Sequence, residues 1–393
     1  MNGVVVISAA GLLGVCVAGA IYFIAGAEIV RRWIAELPLR DVADAELPPV
    51  TILRPIKPGV PHLRAKLEGL IRAMRPGDQV VLGVDADSDE MRAAEEMRAL
   101  FPGHEIVVVR CREAAALNPK ISRLVMMDAH ARNDHWVLSD SEAVIDAAWL
   151  DALRREWLAS GADVVTCGYR FVNAGTWPQR LDAAAALFTL WPGLAFVRRF
   201  GRVTFTLGAC TALRRADVMA VGGWGSFGDF LAEDNRLGAA LANAGRTIRL
   251  GAPVAVLDSD ALTWREYWRH QRRVAVTYRV CNPAGFAGML LTLSIPASGL
   301  FVGLAWIASG RFWIPVGVVG ALQLLRWIFA QRMAKALRFS VEPLFPVMLC
   351  AGLVETLCWV LAWCASSVWW AGKRWRVAPG GRLVLTVEAQ RSV

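Results

Sequence analysis

The segment Trp136-Val-Leu-Ser-Asp-Ser-Glu142 runs a short β-rich stretch, Trp136 to Leu138, into a polar turn with carboxylates at i and i+2. Working outward, Val50 to Leu53, Val80 to Val84, Ile106 to Val109 and Val164 to Cys167 have the same apolar, β-branched character. Helical spacing falls between these runs, over Leu63 to Met74, Met91 to Phe101, Ile121 to Ala131 and Ala147 to Leu158. This alternation, from Leu47 to about Asp258, predicts an α/β domain on a mostly parallel sheet. Ligands of such sheets bind beyond the carboxyl ends of the strands. Those ends are polar here: Arg54-Pro-Ile-Lys-Pro58, Asp85-Ala-Asp-Ser-Asp89 and Ser139-Asp-Ser-Glu142. The spacing of Asp140 and Glu142 lets both meet one hard divalent cation bridging a diphosphate. An ordinary acidic turn is the other reading.

A second acidic pair lies in Leu231-Ala-Glu-Asp-Asn-Arg-Leu237, where a Gly-rich loop, Val221 to Gly228, gives way to a helix expected from about Asn235 through Leu241. The loop leaves backbone free to approach a substrate, and the helix holds the carboxylates rigidly. Asp234 is the candidate base. The competing reading makes it the N-cap of that helix.

Composition widens the frame. The chain has 393 residues, 55% of them hydrophobic, a mean hydropathy of +0.40 and a net charge of +9. That is too apolar for a purely soluble protein. Val4 to Ala27 is uncharged and long enough to cross a bilayer core. It exceeds a signal-peptide core and lacks a basic leader, which predicts a retained anchor. Arg31 and Arg32 after it place the following domain in the cytoplasm. Phe286 to Ser309, Phe312 to Ala330 and Phe345 to Gly372 form three further apolar segments, with Glu355 inside the last. An acidic residue at that depth faces protein or a wet cavity, or else the helix lies partly in the interface. Three full crossings would carry the basic tail (Lys373, Arg374, Arg376, Arg382) outward, against the positive-inside trend, so one segment is expected to be re-entrant or interfacial. The eight scattered cysteines, without a CxxC pair, suggest neither disulfides nor zinc and fit a reducing compartment. Thr263 to Arg279 mixes Trp and Arg on one helix beside an apolar run. That is how an interfacial helix meets anionic headgroups, and no nucleic-acid partner is expected.

Seven ordered motifs carry a family resemblance: Val50-Thr-Ile-Leu-Arg-Pro-Ile-Lys57, Asn118-Pro-Lys-Ile-Ser122, Leu138-Ser-Asp-Ser141, Val165-Thr-Cys-Gly-Tyr-Arg170, Leu207-Gly-Ala-Cys-Thr211, Leu231-Ala-Glu-Asp234 and His270-Gln-Arg-Arg273. Together they resemble the ceramide glucosyltransferases and the related hopanoid-associated glycosyltransferases over nearly the whole chain. The resemblance implies an inverting enzyme with a GT-A (nucleotide-diphospho-sugar transferase) domain, an N-terminal transmembrane helix and C-terminal membrane helices, in the bacterial inner membrane. Its donor would be a UDP-hexose, its cofactor Mg²⁺ or Mn²⁺, and its acceptor a membrane lipid, a sphingolipid (ceramide) or a hopanoid polyol. By that comparison Asp85 or Asp87 contacts the nucleotide base, with Pro55, Lys120, Asp140 and Arg272 also on the donor. Asp140 and Glu142 form the metal element. Asp234 is the acceptor's base, with Glu233 beside it, and His270 to Arg273 corresponds to a (Q/R)xxRW element near the diphosphate and acceptor, which puts Glu233, His270 and Arg273 with Asp234 among the catalytic residues.

The chain departs from that pattern in four places. The first aspartate aligns as Asp85 or Asp87; Glu142 stands at the third D-x-D position; His270 stands at the Q/R position; Val274 replaces the usual Trp, whose contact is then absent or supplied elsewhere, by Trp264 or Trp268. The expected organisation is an anchor over 1–30, a GT-A domain over 47–260, an interfacial helix over 261–284, membrane segments over 285–372 and a basic tail over 373–393. A processive polysaccharide synthase shares the aspartates and is the alternative. A non-catalytic receptor that kept the fold is disfavoured by the retention of Asp140, Glu233 and Asp234 together.

Overall fold

The computed structural model describes residues 3–36, 42–112, 114–339 and 344–386. In chain order its main elements are α1 (Gly3–Ile34), β1 (Thr51–Pro55), α2 (Leu63–Arg72), β2 (Gln79–Asp85), α3 (Asp89–Leu100), β3 (Glu105–Cys111), α4 (Pro119–Met127), β4 (His135–Ser139), β5 (Ala143–Val144), α5 (Ala147–Ser160) and β6 (Val164–Phe171). There follow α6 (Trp177–Ala185), α7 (Trp191–Phe200), β7 (Cys210–Arg214), α8 (Arg215–Ala220), α9 (Glu233–Asn243) and β8 (Ile248–Leu257). The remainder is α10 (Trp264–Cys281), α11 (Pro283–Gly288), α12 (Ser294–Ser309), α13 (Trp313–Ala336), α14 (Phe345–Cys364), β9 (Ser367–Trp370), β10 (Lys373–Val377) and β11 (Leu383–Leu385). These elements divide into two compact units: one of Met1–Ala35, Ala174–Arg199 and Ala261–Arg374, the other of Glu36–Asn173, Phe200–Asp260 and Trp375–Val393.

The α/β unit is built on an eight-stranded sheet of order β3-β2-β1-β4-β7-β6-β8-β5. Strands β3, β2, β1 and β4 are mutually parallel, as the alternating pattern predicts. The second half is mixed, because β7 runs antiparallel to both β4 and β6, and β5 antiparallel to β8. Strand β1 is buried at every position, Thr51 and Arg54 included. Leu53, Val81, Trp136, Leu138 and Leu213 meet Leu124 and Met127 of α4 and Leu237 and Leu241 of α9 in one core cluster. Gly83 is a requirement of that packing: a Cβ there would lie 2.3 Å from the Met127 sulfur. Side-chain caps open α3 (Ser88), α4 (Asn118) and α5 (Asp146). Helix α9, like α2 and α8, has no side-chain cap; it starts at Glu233 after Ala232.

The α/β unit also takes in a stretch expected to be tail. Beyond Arg374, residues Trp375–Val377 pair antiparallel with β11, and the turn between them lies against Asp229–Leu231. The α/β fold is therefore not complete at Asp258; residues 387–393 of the expected tail lie outside the described residues.

The apolar unit includes a segment that composition did not single out. The helical run Trp177–Phe200 packs beside α1, with Phe23 stacked on Phe188 at 5.2 Å and Tyr22 on Phe196 at 4.4 Å. Gly26 permits this approach, since a Cβ would lie 2.9 Å from Pro192 Cβ. Among the described residues, four helices are long and apolar enough to cross a membrane: Gly3–Ile34, Trp177–Phe200, Trp313–Ala336 and Phe345–Cys364. The expected span Phe286–Ser309 is instead a bent pair, Pro283–Leu291 and Ser294–Ser309, kinked by 40°, the form of a broken span or a re-entrant loop. Within α14, Glu355 faces protein and pairs with the Thr189 hydroxyl. All eight cysteines are free.

Candidate active site

Three elements of the α/β unit bring charged groups together. Strand β4 ends at Ser139 and presents Asp140, the N-terminus of α4 presents Lys120, and the first turn of α9 presents Glu233 and Asp234. The Lys120 ammonium lies 2.7 Å from Asp140 Oδ1 and 3.1 Å from Glu233 Oε1. Gly208, between α7 and β7, closes the group: its N–H donates to Asp234 Oδ2 at 3.0 Å. A Cβ on Gly208 would sit 3.2 Å from Asp140 Oδ2, 3.2 Å from Lys120 Nζ and 3.3 Å from Asp234 Oδ2. Three charged side chains thus converge on one glycine.

Asp234 is not the cap of α9. It lies inside the first turn, and its carboxylate accepts from the Asn235 N–H (2.7 Å) and from Gly208. Its main-chain oxygen accepts from Thr206 Oγ1 at 2.8 Å, an approach that Gly238 makes possible, because a Cβ there would fall 2.3 Å from the backbone of Phe205. Burial, then the neighbouring Glu233 charge, push the Asp234 pKa up to about 6 against the opposing pull of Lys120. For Lys120 burial alone would favour the neutral amine, but Asp140, Glu233 and Asp234 outweigh it and the pKa is raised. The centre thus pairs a firmly charged ammonium with a carboxylate basic enough to take a proton near neutrality.

Asn118 supports this centre from α4. Its side-chain oxygen caps the helix through the N–H groups of Lys120 and Ile121, while its Nδ2 donates to Phe230 O and Glu233 Oε2, both at 3.0 Å. Arg54, fully buried on β1, donates to the carbonyls of Ser141 (2.9 Å) and Ala143 (2.6 Å) and so grips the turn that follows Asp140. Burial holds its pKa down to about 10, against the favourable field of Asp140.

Other expected site residues lie elsewhere. Asp85 is taken by Arg123 of α4, which donates to both its oxygens at 2.7–2.8 Å. Asp87 is exposed, in a left-handed backbone conformation (φ 62°), and lines a cleft with Ser88, Arg92, Arg110 and Arg112. Pro55 ends β1 and is buried. Glu142 is ion-paired to Lys57, which also contacts Asp260 at 3.0 Å. Among the described residues no group of three or more His, Cys, Asp or Glu side chains is arranged to hold a metal. One carboxylate with diphosphate oxygens and water suffices for Mg²⁺, and Asp140 Oδ2, on the Gly208 side of the centre, fits that need.

His270, Arg272 and Arg273 belong to α10 of the apolar unit. Arg273 Nη2 donates to His270 Nδ1 at 3.1 Å, and His270 Nε2 lies 3.7 Å from Asp182. The Arg273 guanidinium sits 6.0 Å from the ring centre of Trp370. Trp264, expected as a stand-in for the Trp missing at Val274, packs edge-on to Tyr267. Arg272 is exposed.

Comparison with known proteins defines the class. The fold is similar to that of the mannosyltransferase PcManGT from Pyrobaculum calidifontis in complex with GDP-Man and Mn2+, with a TM-score of 0.51 and 17% identity over 90% of this chain and 99% of that one. The α/β unit is thus of the GT-A type. The family profile described as Glycosyl transferase family 21 matches residues 11–383, and the chain belongs to that family. Ceramide glucosyltransferase 1 of Caenorhabditis elegans is 24% identical over 229 residues, 56% of this chain and 47% of that protein. The matched region therefore spans about half the length of that curated relative.

Proposed function

We propose that this membrane protein is an inverting hexosyltransferase that moves glucose or N-acetylglucosamine from a UDP-sugar to a hydroxyl of a membrane lipid, ceramide or a hopanoid polyol. Its catalytic unit faces the cytoplasm of a bacterial inner membrane. The reading rests above all on the Lys120, Asp140, Glu233 and Asp234 cluster around Gly208 in a family 21 chain. Asp234 takes the proton of the acceptor hydroxyl. The hydroxyl oxygen then bonds to the anomeric carbon as the bond from that carbon to the diphosphate oxygen breaks. A single displacement of this kind inverts the centre and needs no covalent sugar on the protein. Lys120 offsets the negative charge growing on the leaving diphosphate, and Arg272 and Arg273 are assigned the same task. Mg²⁺ or Mn²⁺, bound through Asp140, would add Lewis-acid neutralisation of those phosphate oxygens. Asp87 and its arginine-lined cleft are assigned to the nucleotide base and ribose, since Asp85 is already paired.

The test is incubation of native membranes with UDP-[¹⁴C]glucose and UDP-N-[¹⁴C]acetylglucosamine, followed by mass spectrometry of the labelled lipid. A single sugar on ceramide or on a hopanoid is expected. Label in a long polymer, or none in lipid, would overturn the proposal.

A further inference from the structure

The first turn of α9 carries Glu233 and Asp234, yet Ala232 gives that helix no side-chain cap. The segment just before it is held from two sides. Asn118 grips Phe230 O and Glu233 from α4. The other grip comes from residues 375–385, which follow the last apolar helix in sequence.

There Leu383 N donates to Asp229 O at 2.7 Å, Leu231 N donates to Gly381 O at 3.0 Å, and Phe230 and Arg382 form an antiparallel bridge. Side chains reinforce the ladder. Arg236, on α9, donates to Gly380 O and lies 5.0 Å over the Phe230 ring, while Arg382 lies 6.0 Å from the same ring and 3.8 Å from Asp229. Trp375, Leu383 and Leu231 are almost wholly buried. The turn is shaped for the contact, with φ of 75° at Gly380 and 83° at Gly381. A Cβ on Gly380 would come within 2.7 Å of Arg236 Nη2.

We infer that residues 375–385 are a strap whose docking on Asp229–Leu231 and Arg236 positions the Glu233–Asp234 turn for turnover. Arg236 is the positioning residue through which the strap holds α9. Backbone pairing supplies the alignment that a side-chain cap supplies at α3, α4 and α5, and it fixes the chain entering α9 rather than the donor-binding strand ends.

The inference rests on the proposed lipid glycosylation for its assay. Two forms of the full protein in detergent micelles are compared with the parent: Arg236→Met, and a chain stopped after Arg374. Each is given UDP-glucose and UDP-N-acetylglucosamine with a membrane lipid extract, and UDP affinity is titrated separately. Arg236→Met is expected to lower kcat about tenfold with UDP affinity within twofold and an unchanged melting temperature. The stopped chain should lose at least as much kcat and regain it when a peptide of residues 375–386 is added. Full kcat in Arg236→Met overturns the inference, whether or not the stopped chain folds. An equal loss of UDP affinity and kcat also overturns it, since that marks general loosening. Failure of the functional reading shows separately, as absence of labelled lipid from the parent.

Discussion

Replacing Asp234 by Asn tests the centre most directly, and the structure sets two opposing terms for its stability. Both carboxylate oxygens accept backbone N–H groups, from Gly208 and Asn235. The Asn side chain offers one acceptor and one NH₂, so one of those N–H groups meets a donor and loses its partner, at about 1–3 kcal/mol. Against this, the folded pKa stands near 6 rather than 3.8. The raised value means that this carboxyl's own contribution to stability is fully present below pH 4 and is lost as the pH rises through 6, a difference of about 3 kcal/mol at 1.36 kcal/mol per unit. A neutral Asn escapes that penalty, so near pH 7 the two terms nearly cancel. Melting temperature should therefore change little, while lipid glycosylation at saturating UDP-sugar falls by about 10²–10⁴, the usual worth of a general base. UDP affinity, measured by calorimetry, should stay within a fewfold. Near-normal turnover would refute the assignment, and collapse in Glu233→Gln instead would move the base to Glu233.

The remaining expectations follow from the same geometry. The pH–kcat profile should fall tenfold per unit below about pH 6; Glu233→Gln should move that limb to lower pH and Lys120→Met to higher pH, because the two neighbours act on Asp234 in opposite senses. A limb that ignores both changes would mean that another group titrates. Gly238→Ala should destabilise the protein by about 1–3 kcal/mol in denaturant titration and lower turnover, since its methyl group drives Phe205 and Thr206 away from Asp234. Asp140→Ala should lose more activity than Glu142→Ala, whose carboxylate is engaged by Lys57, and chelator should abolish turnover in the parent. Undiminished activity in excess chelator would remove the metal from the mechanism.

Legibility in the sequence followed the range of the contacts. Strands β1 to β4 were readable within two residues, because parallel strands covered on both faces leave continuous β-branched runs. Strand β7 gave no such signal: Cys210–Arg214 has Thr211 as its one β-branched residue and runs antiparallel between β4 and β6. Lys120, Asp140, Glu233 and Asp234 were legible as motifs at element ends. Gly208 lay inside a motif but carried no role of its own, and Gly238 was in none, because their value lies in backbone passing close to a distant segment, which no local pattern encodes. The engagement of Glu142 and Asp260 by Lys57, and of Asp85 by Arg123, likewise joins residues far apart in the chain. Asn118 did leave a trace, since Asn-Pro opening a helix marks an N-cap, but its second pair of hydrogen bonds, to Phe230 and Glu233, did not.

The contact between 375–385 and 229–231 also sets a schedule for biosynthesis. Roughly 140 residues separate Asp234 from Trp375. At about 5–20 residues per second a ribosome needs about 7–30 s to cover that distance, and in the interval it makes α10 through α14. Throughout, the main-chain groups of Asp229 and Leu231 lack their β-ladder partners and Leu231 lacks its cover. The nascent chain thus carries an open apolar edge beside its acidic centre while its hydrophobic helices are being delivered to the bilayer. Chaperone capture or proteolytic nicking of the growing protein should concentrate at that edge.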